Sequence, residues 1–129
     1  PRCIISLLKN KKIPLHGKGN NIRHYLSAKD FAKAVCLLIK KRNKGIFNVG
    51  SYDSFSNIHI AKTICKILNK DSKKFIKFVK DRPYNDRRYS IDINKIRKLG
   101  WRPENTLMNE LPDIIRWYIN NIKLFKNLN

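Results

Sequence analysis

The sequence predicts an α/β protein, because helical patterns lead directly into short apolar strands. A helix predicted over residues 27–41 is followed at once by an apolar strand over residues 46–49. A second helix, starting at Ser56 or Asn57, precedes another apolar strand over residues 75–79. The 129 residues suffice for one domain with a core and are too few for two domains of ordinary size.

The first 22 residues predict a helix followed by an extended segment and a turn. Residues 1–12 contain apolar residues at helical spacing, namely Ile4, Ile5, Leu7 and Leu8. The segment ends in a lysine cluster, and positive charge suits a helix C-terminus. Pro14, Gly17 and Gly19 then interrupt an extended segment. These glycines half match a dinucleotide-binding fingerprint, but Ile22 replaces the third glycine and no βαβ unit surrounds them, so we predict a turn.

The helix over residues 27–41 has the clearest pattern. Ser27 is its predicted N-cap, with Asp30 three residues later. One face is apolar, comprising Ala28, Phe31, Ala32, Val35, Leu38 and Ile39. Gly45 permits a sharp reversal into the strand over residues 46–49, whose apolar run predicts burial.

Three further helices are predicted. The helix from Ser56 or Asn57 has an apolar side formed by Ile60, Ala61, Ile64, Ile67 and Leu68. The last helix has one formed by Leu111, Ile114, Ile115, Tyr118 and Ile122. Asp92 is expected to cap a short helix that Gly100 ends. We predict Asn109 as the last cap, because a start at Thr106 would place Pro112 inside the helix at a cost of about 3 kcal/mol. A polar tail is predicted from Lys123.

The composition is strongly basic, with 29 Lys and Arg against 9 Asp and Glu, a formal net charge of +20. Such a chain repels itself unless anions neutralise it, which points to nucleic acid, an anionic membrane surface or a phosphorylated small ligand. The alternative is codon bias, since Lys, Asn and Ile are all used heavily.

The cysteine pattern and the absence of targeting features predict a cytoplasmic protein. Cys3, Cys36 and Cys65 lack C-x-x-C spacing, so we predict that they are reduced and mostly buried thiols. No apolar run approaches the roughly 18 residues of a membrane span, and no signal-peptide pattern is present. The start at Pro1 suggests a piece of a longer protein.

The strand over residues 75–79 ends in a turn crowded with Arg82, Asn85, Arg87 and Arg88. Planar guanidinium groups match phosphate oxygens in pairs, so this turn is a candidate diphosphate site. A solvated basic loop is the alternative.

No catalytic or metal-binding set emerges from the residues. Tyr25 and Lys29 form a Y-x-x-x-K pair, but Tyr25 precedes the predicted cap, so we interpret the pair as a coincidence. His16, His24 and His59 lack metal-ligand spacing. We therefore predict no catalytic residue and no metal site in this chain.

Several linked motifs resemble the C-terminal portion of the nucleotide-diphosphate-glucose 4,6-dehydratases, which are extended short-chain dehydrogenase/reductase (SDR) enzymes. The matching strings are IPLHGKGNNIRHYLSAKDFAKAV, GIFNVG, IKFVKDRPYNDRRYSIDINKIRKLGWRP and RWYINN, in the family's order. His16 and Asn85 are more similar to the UDP-glucose enzymes of the rhamnose pathway than to the dTDP-glucose enzymes. Lys29, before Asp30, and Pro112 depart from the family pattern.

The resemblance implies the C-terminal substrate-binding part of an extended SDR fold, of the NAD-dependent epimerase/dehydratase type, with a last helix–strand unit of the Rossmann domain. Residues 1–129 would form one substrate-binding region, and the NAD-binding N-terminal half would have no counterpart in the sequence. NAD is then implied for the full-length enzyme and not for this chain alone.

The resemblance also assigns roles to site residues. Pro14, Leu15 and His16 would lie along the nucleotide base, Arg23 would meet the diphosphate, and Asn57 would help to hold the ligand. Arg82 and Asn85 would contact the diphosphate and ribose. Without the resemblance, the alternatives are that Asn57 only caps a helix, that Arg23 pairs with an acid and that His16 only packs.

The function implied is the binding of UDP-glucose or dTDP-glucose in a dehydratase-like enzyme, a lyase that removes water in rhamnose or deoxysugar biosynthesis. The chain alone is expected to be inactive, because the family's catalytic Tyr and Lys and its acidic pair belong to the other half. A homodimer is expected only for the full-length protein. The rival hypothesis is a basic module that binds nucleic acid or other polyanions nonspecifically.

Overall fold

The chain folds around a pair of parallel strands flanked by helices, as seen in the computed structural model, which describes residues 1–125. The helices of this part are α1 (Arg2–Leu8), α2 (Ala28–Lys40), α3 (Asn57–Ile67), α4 (Ser72–Phe75), α5 (Asn94–Arg97) and α6 (Leu107–Asn120). The strands are β1 (Ile13–His16), β2 (Ile22–His24), β3 (Ser54–Ser56) and β4 (Ile76–Val79). A 3₁₀ helix, Ile122–Phe125, follows α6. The mixture of helices and parallel strands confirms the α/β prediction.

Two small sheets bring distant segments together. β1 and β4 pair in parallel, from Ile13 opposite Ile76 to His16 opposite Val79. β2 and β3 pair antiparallel, with Arg23 opposite Phe55. Because β1 and β4 run the same way, the residues after His16 and after Val79 leave the sheet at the same edge.

Two hydrophobic clusters hold these elements. The first joins α1, β1, α3, α4 and α6 through Ile4, Leu7, Ile13, Leu15, Ile60, Ala61, Ile64, Cys65, Phe75, Leu111 and Ile115. The second is smaller and consists of Ala34, Ile93, Ile96 and Trp101, with Phe47 and Val49 partly buried against it. The first cluster therefore fixes the parallel strand pair, and the second fixes α2 and the segment that follows it.

The predicted helix caps are largely confirmed. The Ser27 hydroxyl accepts from the Lys29 N–H at 3.2 Å, and the Ser56 hydroxyl accepts from the His59 N–H at 3.3 Å, so Ser56 rather than Asn57 caps α3. The Asp92 carboxylate accepts from the Asn94 N–H at 2.8 Å, although Ile93 occupies the N-cap position of α5. Gly45 has a φ of +104°, as the predicted reversal requires.

The predicted start of the last helix is wrong. α6 begins at Leu107 with Thr106 as its cap, so Pro112 lies inside the helix rather than in its first turn. Tertiary contacts explain the earlier start: the Asp53 carboxylate accepts from the Leu107 N–H, and Leu107 and Met108 pack against the first cluster. These contacts offset a proline penalty of about 3 kcal/mol.

The predicted strand over residues 46–49 does not form. Within residues 1–125, the backbone of residues 46–50 makes no hydrogen bond to another backbone group, so no neighbouring strand completes it. The segment is also not buried throughout, since Ile46 is 87% exposed. Its second and fourth residues, Phe47 and Val49, nevertheless pack inward.

The predicted apolar face of α2 is also exposed in part. Phe31, Val35 and Ile39 are 50%, 39% and 71% exposed, while Ala34 and the carboxylate of Asp30 are buried.

Burial is likewise uneven for the free thiols: Cys65 is buried, Cys3 half-buried and Cys36 exposed. Within the described residues, no helix is both long and apolar enough to cross a bilayer. Residues 126–129 of the predicted tail lie outside the described part.

Candidate functional site

The candidate site lies at the carboxyl edge of the β1–β4 pair, where ligands commonly bind in α/β proteins. The Lys80 carbonyl oxygen lies 3.1 Å from the Nδ1 atom of His16, and the Gly17 N–H donates to the Val79 carbonyl at 2.9 Å. These contacts tie the turn after β1 to the loop after β4. That loop carries the predicted arginine turn, so the sheet itself brings His16 near Asp81 and Arg82.

Arg23 and Arg82 converge on one acceptor in this site. Arg23 donates from Nη2 to the Asn85 Oδ1 atom at 3.3 Å, and Arg82 donates from Nη2 to the same oxygen at 3.0 Å. Arg23 comes from β2 and Arg82 from the loop after β4, so two separate parts of the chain place their positive charges side by side. The expected convergence of the two guanidinium groups is therefore present.

Asp81 fixes the orientation of the Asn85 amide. The Asn85 Nδ2 group donates to Asp81 Oδ1 at 2.7 Å, which leaves the Asn85 oxygen to face the two arginines. The Asp81 pKa is lowered, first by this bond from Asn85 and then by the bond from the Arg82 N–H. Coulombic interactions with His16 and Arg82 lower the Asp81 pKa further. Asp81 thus remains a carboxylate and holds the arrangement in place.

The other side of the site is held by β2. Arg23 donates from Nη1 to the carbonyls of Ile22, at 2.8 Å, and Asp86, at 3.0 Å. The side chain of Asn21 also donates to the Asp86 carbonyl at 3.1 Å. The loop after β4 is therefore bonded along β2, and Arg23 cannot swing freely into solvent.

The remaining predicted site residues have different environments. Leu15 is 6% exposed, and its side chain packs in the first cluster. Pro14 is half-buried on the opposite face of β1. Asn57 is the first residue of α3, and its N–H donates to the Asn21 carbonyl at 3.0 Å. Asn57 thus adjoins the site through Asn21.

The Tyr25 and Lys29 side chains do not form a proton-transfer pair. Burial raises the pKa of the Tyr25 phenol, and Lys29 instead pairs with Glu110 at 3.1 Å. Among the described residues, no three His, Cys, Asp or Glu side chains are grouped so that they could hold a metal ion.

The glycines after β1 do not fit a dinucleotide cofactor. Gly17 has a φ of +56°, and a Cβ atom there would lie 2.7 Å from Asp81 Oδ2, so a carboxylate already occupies the space beside this turn. A Cβ atom at Gly19 would meet Ile58 and Leu15. The turn packs against protein atoms and offers no cradle for the phosphates of NAD.

A profile of the family described as GDP-mannose 4,6 dehydratase matches residues 1–113. The chain belongs to this dehydratase family. It is 37% identical to a trifunctional UDP-glucose 4,6-dehydratase of Arabidopsis thaliana, over 94% of this chain and 18% of that protein. It is 35% identical to dTDP-glucose 4,6-dehydratase 1 of Escherichia coli, over 99% of this chain and 38% of that protein.

Solved structures of dehydratases share the fold. The NAD complex of the Bacillus anthracis dTDP-glucose 4,6-dehydratase superposes with a TM-score of 0.87 at 31% identity, covering 98% of this chain and 40% of that one. The Streptomyces venezuelae enzyme, also solved with NAD, gives a TM-score of 0.89 at 29% identity, with the same coverage. The chain therefore has the extended SDR dehydratase fold and spans less than half the length of these relatives.

Sequence reasoning missed the residues that support the arginines in this dehydratase-family chain. Asp81 and Asn21 are not among the predicted site residues. Asp81 directly precedes Arg82, and Asn21 lies two residues before Arg23. The available signal was the carboxylate next to Arg82, since an acid beside a cation cluster commonly orients it. Asn21 gave no such signal, because its role depends on a contact with a residue 65 positions away.

Proposed function

We propose that this chain is the nucleotide-sugar-binding part of a 4,6-dehydratase that acts on UDP-glucose or dTDP-glucose in deoxysugar biosynthesis. The relatives described above, which are UDP-glucose and dTDP-glucose 4,6-dehydratases, support this substrate class. The observation that carries the proposal is the convergence of Arg23 and Arg82 on the Asn85 oxygen. Two guanidinium groups at one point suit two linked phosphates, each of which carries negative charge.

The binding chemistry follows from the fixed geometry. A diphosphate would exchange water for charge-assisted hydrogen bonds from Arg23 and Arg82, while Asn85 keeps their separation constant. His16, exposed at the end of β1, would face the nucleoside side of the ligand. Bonds are already in place before the ligand arrives, so less side-chain entropy is lost on binding.

We assign no catalytic step to this chain. Its described residues supply binding groups, and the dehydration chemistry, with NAD as hydride carrier, belongs in our proposal to the remainder of a full-length enzyme. The solved relatives are NAD complexes, whereas the Gly17 turn of this chain does not fit the cofactor. Homodimerisation is proposed for the full-length enzyme only.

We also propose that residues 27–50 are the last helix–strand unit of a Rossmann domain. The exposed apolar residues Phe31 and Ile39 support this, as do residues 46–50, whose backbone has no backbone partner within residues 1–125; both are features of an element without its neighbour. In hydrogen exchange, amides 46–50 should exchange freely in this chain, and the corresponding amides of the intact E. coli relative should be protected. Equal exchange in the two proteins would refute the assignment.

Isothermal titration calorimetry with UDP-glucose and with dTDP-glucose tests the binding proposal. Loss of a hydrogen bond to a charged group costs about 1.5–3 kcal/mol, so Arg82→Gln should raise Kd about 10-fold or more. Arg116→Gln is the matched control, since it removes an equal charge from an exposed pair with Asp113 on α6. Its Kd should stay within about twofold of the wild-type value.

The polyanion hypothesis receives no support from the comparisons and makes a different prediction. A polyanion-binding module would bind duplex DNA with an affinity that falls steeply with salt, and it would not respond to nucleotide sugars. That pattern, or equal effects of Arg82→Gln and Arg116→Gln, would refute the nucleotide-sugar proposal.

A further inference from the structure

Arg23 has one more contact, with an aromatic ring. Its Cζ atom lies 4.7 Å from the centre of the Tyr89 ring, within the range of a cation–π interaction. Tyr89 follows the arginine turn and is 54% exposed, so burial in a core does not explain its position. The Tyr89 ring therefore lies directly beside the guanidinium group that makes the hydrogen bonds described above.

Tyr89 is itself fixed by Asp86. The Tyr89 hydroxyl donates to Asp86 Oδ2 at 2.5 Å, and the Asp86 backbone carbonyl accepts from Arg23 at 3.0 Å. Asp86 therefore binds both partners of this cation–π pair, through different groups. The Tyr89 pKa is raised by its hydrogen bond to the Asp86 carboxylate and by the charge of that group, so the phenol keeps its proton and the bond persists.

The backbone holds this unit against β2. The Ile22 N–H donates to the Arg87 carbonyl at 2.8 Å, and Ile22 and Arg88 form an isolated parallel bridge. Residues 86–89 therefore run beside the strand that carries Arg23. The ring of Tyr89 is consequently positioned by the same loop that supplies Asn85.

These contacts leave two N–H groups of the Arg23 guanidinium for a ligand. Two bonds from Nη1 and one from Nη2 use three of its five N–H groups. The Nε–H and one N–H of Nη2 are the two that remain, and guanidinium N–H groups form strong charge-assisted hydrogen bonds with phosphate oxygens. We infer that Tyr89, held by Asp86, is a positioning residue that presents the remaining N–H groups of Arg23 to the ligand diphosphate, an inference that rests on the proposed function.

Substitution of Tyr89 tests the inference in the chain as it stands. Tyr89→Leu removes the ring and should raise the Kd for UDP-glucose about three- to tenfold, the range of a partly exposed cation–π contact. Tyr89→Phe keeps the ring without the bond to Asp86 and should lie between this variant and the wild type. Thermal unfolding will show whether Tyr89→Leu folds. If it does not, the Kd of Tyr89→Phe tests the inference in its place.

A matched tyrosine provides the control. The Tyr52 ring lies 5.8 Å from the Arg97 Cζ atom, and its hydroxyl accepts from Arg97 Nη1 at 3.3 Å, so it forms a similar exposed pair that has no part in the site. Tyr52→Leu should leave the Kd for UDP-glucose within about twofold of the wild-type value. A comparable loss in this variant would assign the effect to general destabilisation and overturn the inference.

A double-mutant cycle separates positioning from a structural role. If Tyr89 acts through Arg23, Tyr89→Leu should have no further effect on Kd in the Arg23→Gln background. An undiminished effect there, or a wild-type Kd for Tyr89→Leu alone, would overturn the inference and leave the proposed function standing. Failure of the wild-type chain to bind UDP-glucose would instead refute the proposed function, and the inference with it.

Discussion

Replacement of Asp30 by alanine should strongly destabilise the chain. Asp30 is fully buried at the start of α2 and receives three hydrogen bonds from the segment before α6. Its Oδ2 atom accepts from the Glu104 N–H at 3.0 Å and the Asn105 N–H at 2.8 Å, and Oδ1 accepts from Asn105 Nδ2 at 2.8 Å. The side chain therefore connects two elements that are more than 70 residues apart in sequence.

The magnitude follows from the groups left behind. A buried donor without a partner costs about 1–3 kcal/mol, and Asp30→Ala leaves two backbone N–H groups without their acceptor. Both are only part-buried, so water reaches them and the lower end of the range applies to each. With a small loss from the Asn105 side chain, we expect a decrease of about 2–3 kcal/mol in the free energy of unfolding. Total stabilities are about 5–15 kcal/mol, so this is a large fraction.

Urea denaturation followed by tryptophan fluorescence measures this change directly. Trp101 is 4% exposed, and its Nε1–H donates to the Asp30 carbonyl at 3.1 Å, so the fluorophore lies beside the substituted residue. Asp113→Ala, on the exposed face of α6, is the control and should change stability by no more than about 0.5 kcal/mol. A loss below about 1 kcal/mol for Asp30→Ala would refute the reasoning.

The same carboxylate should make stability depend on pH. Burial raises the Asp30 pKa, but the hydrogen bonds from Asn105 and Glu104 outweigh burial, and the folded-state pKa is lowered. The unfolded chain therefore binds the proton more readily than the folded one. The contribution is complete above the ordinary Asp pKa of about 3.9 and is lost as the pH falls through the lower folded value. Asp30→Asn should lack this component of acid denaturation.

Two further substitutions test the corrected helix start and the turn after β1. Pro112→Ala should stabilise the chain by about 2 kcal/mol in the same urea assay, because it restores the hydrogen bond to the Met108 carbonyl. Gly17→Ala should cost about 1–2 kcal/mol, because the residue has a φ of +56° and the new methyl group would collide with Asp81. It should also weaken UDP-glucose binding in calorimetry, because Asp81 orients Asn85. Unchanged stability of Pro112→Ala would contradict the cost assigned to the proline. Gly100→Ala, at a φ of +97° with open space around it, should reproduce the strain without the loss of binding.

The sequence was sufficient for elements whose cause is local. Periodicity and a hydroxyl cap located α2 and α3 to within a residue or two, and Gly45 marked the reversal correctly. These features depend on neighbours within one or two turns, which a single sequence displays. The arginine turn, our candidate diphosphate site, could be singled out for the same reason, since its arginines are clustered in sequence.

The features that the sequence did not reveal depend on distant contacts. α6 starts at Leu107 because Asp53 and the first cluster bind its first turn, and neither partner is visible from the local pattern. Residues 46–49 have the composition of a strand, yet a strand exists only when another pairs with it. The position of Asp30, three residues after Ser27, suggests a capping pattern, whereas in the structure its carboxylate accepts from the backbone N–H groups of Glu104 and Asn105.

The strong positive charge and the candidate site are separate physical features. Lysines and arginines are distributed over the whole chain, but Arg23 and Arg82 are the pair that share Asn85 in the site described above. A uniform charge attracts any anion and is screened by salt, so it raises the encounter rate without distinguishing ligands. Selectivity for two linked phosphates requires a fixed separation between cations, which Asp81 and Asn85 supply and total charge does not. The geometry of four side chains, rather than the +20 net charge, therefore carries the functional proposal.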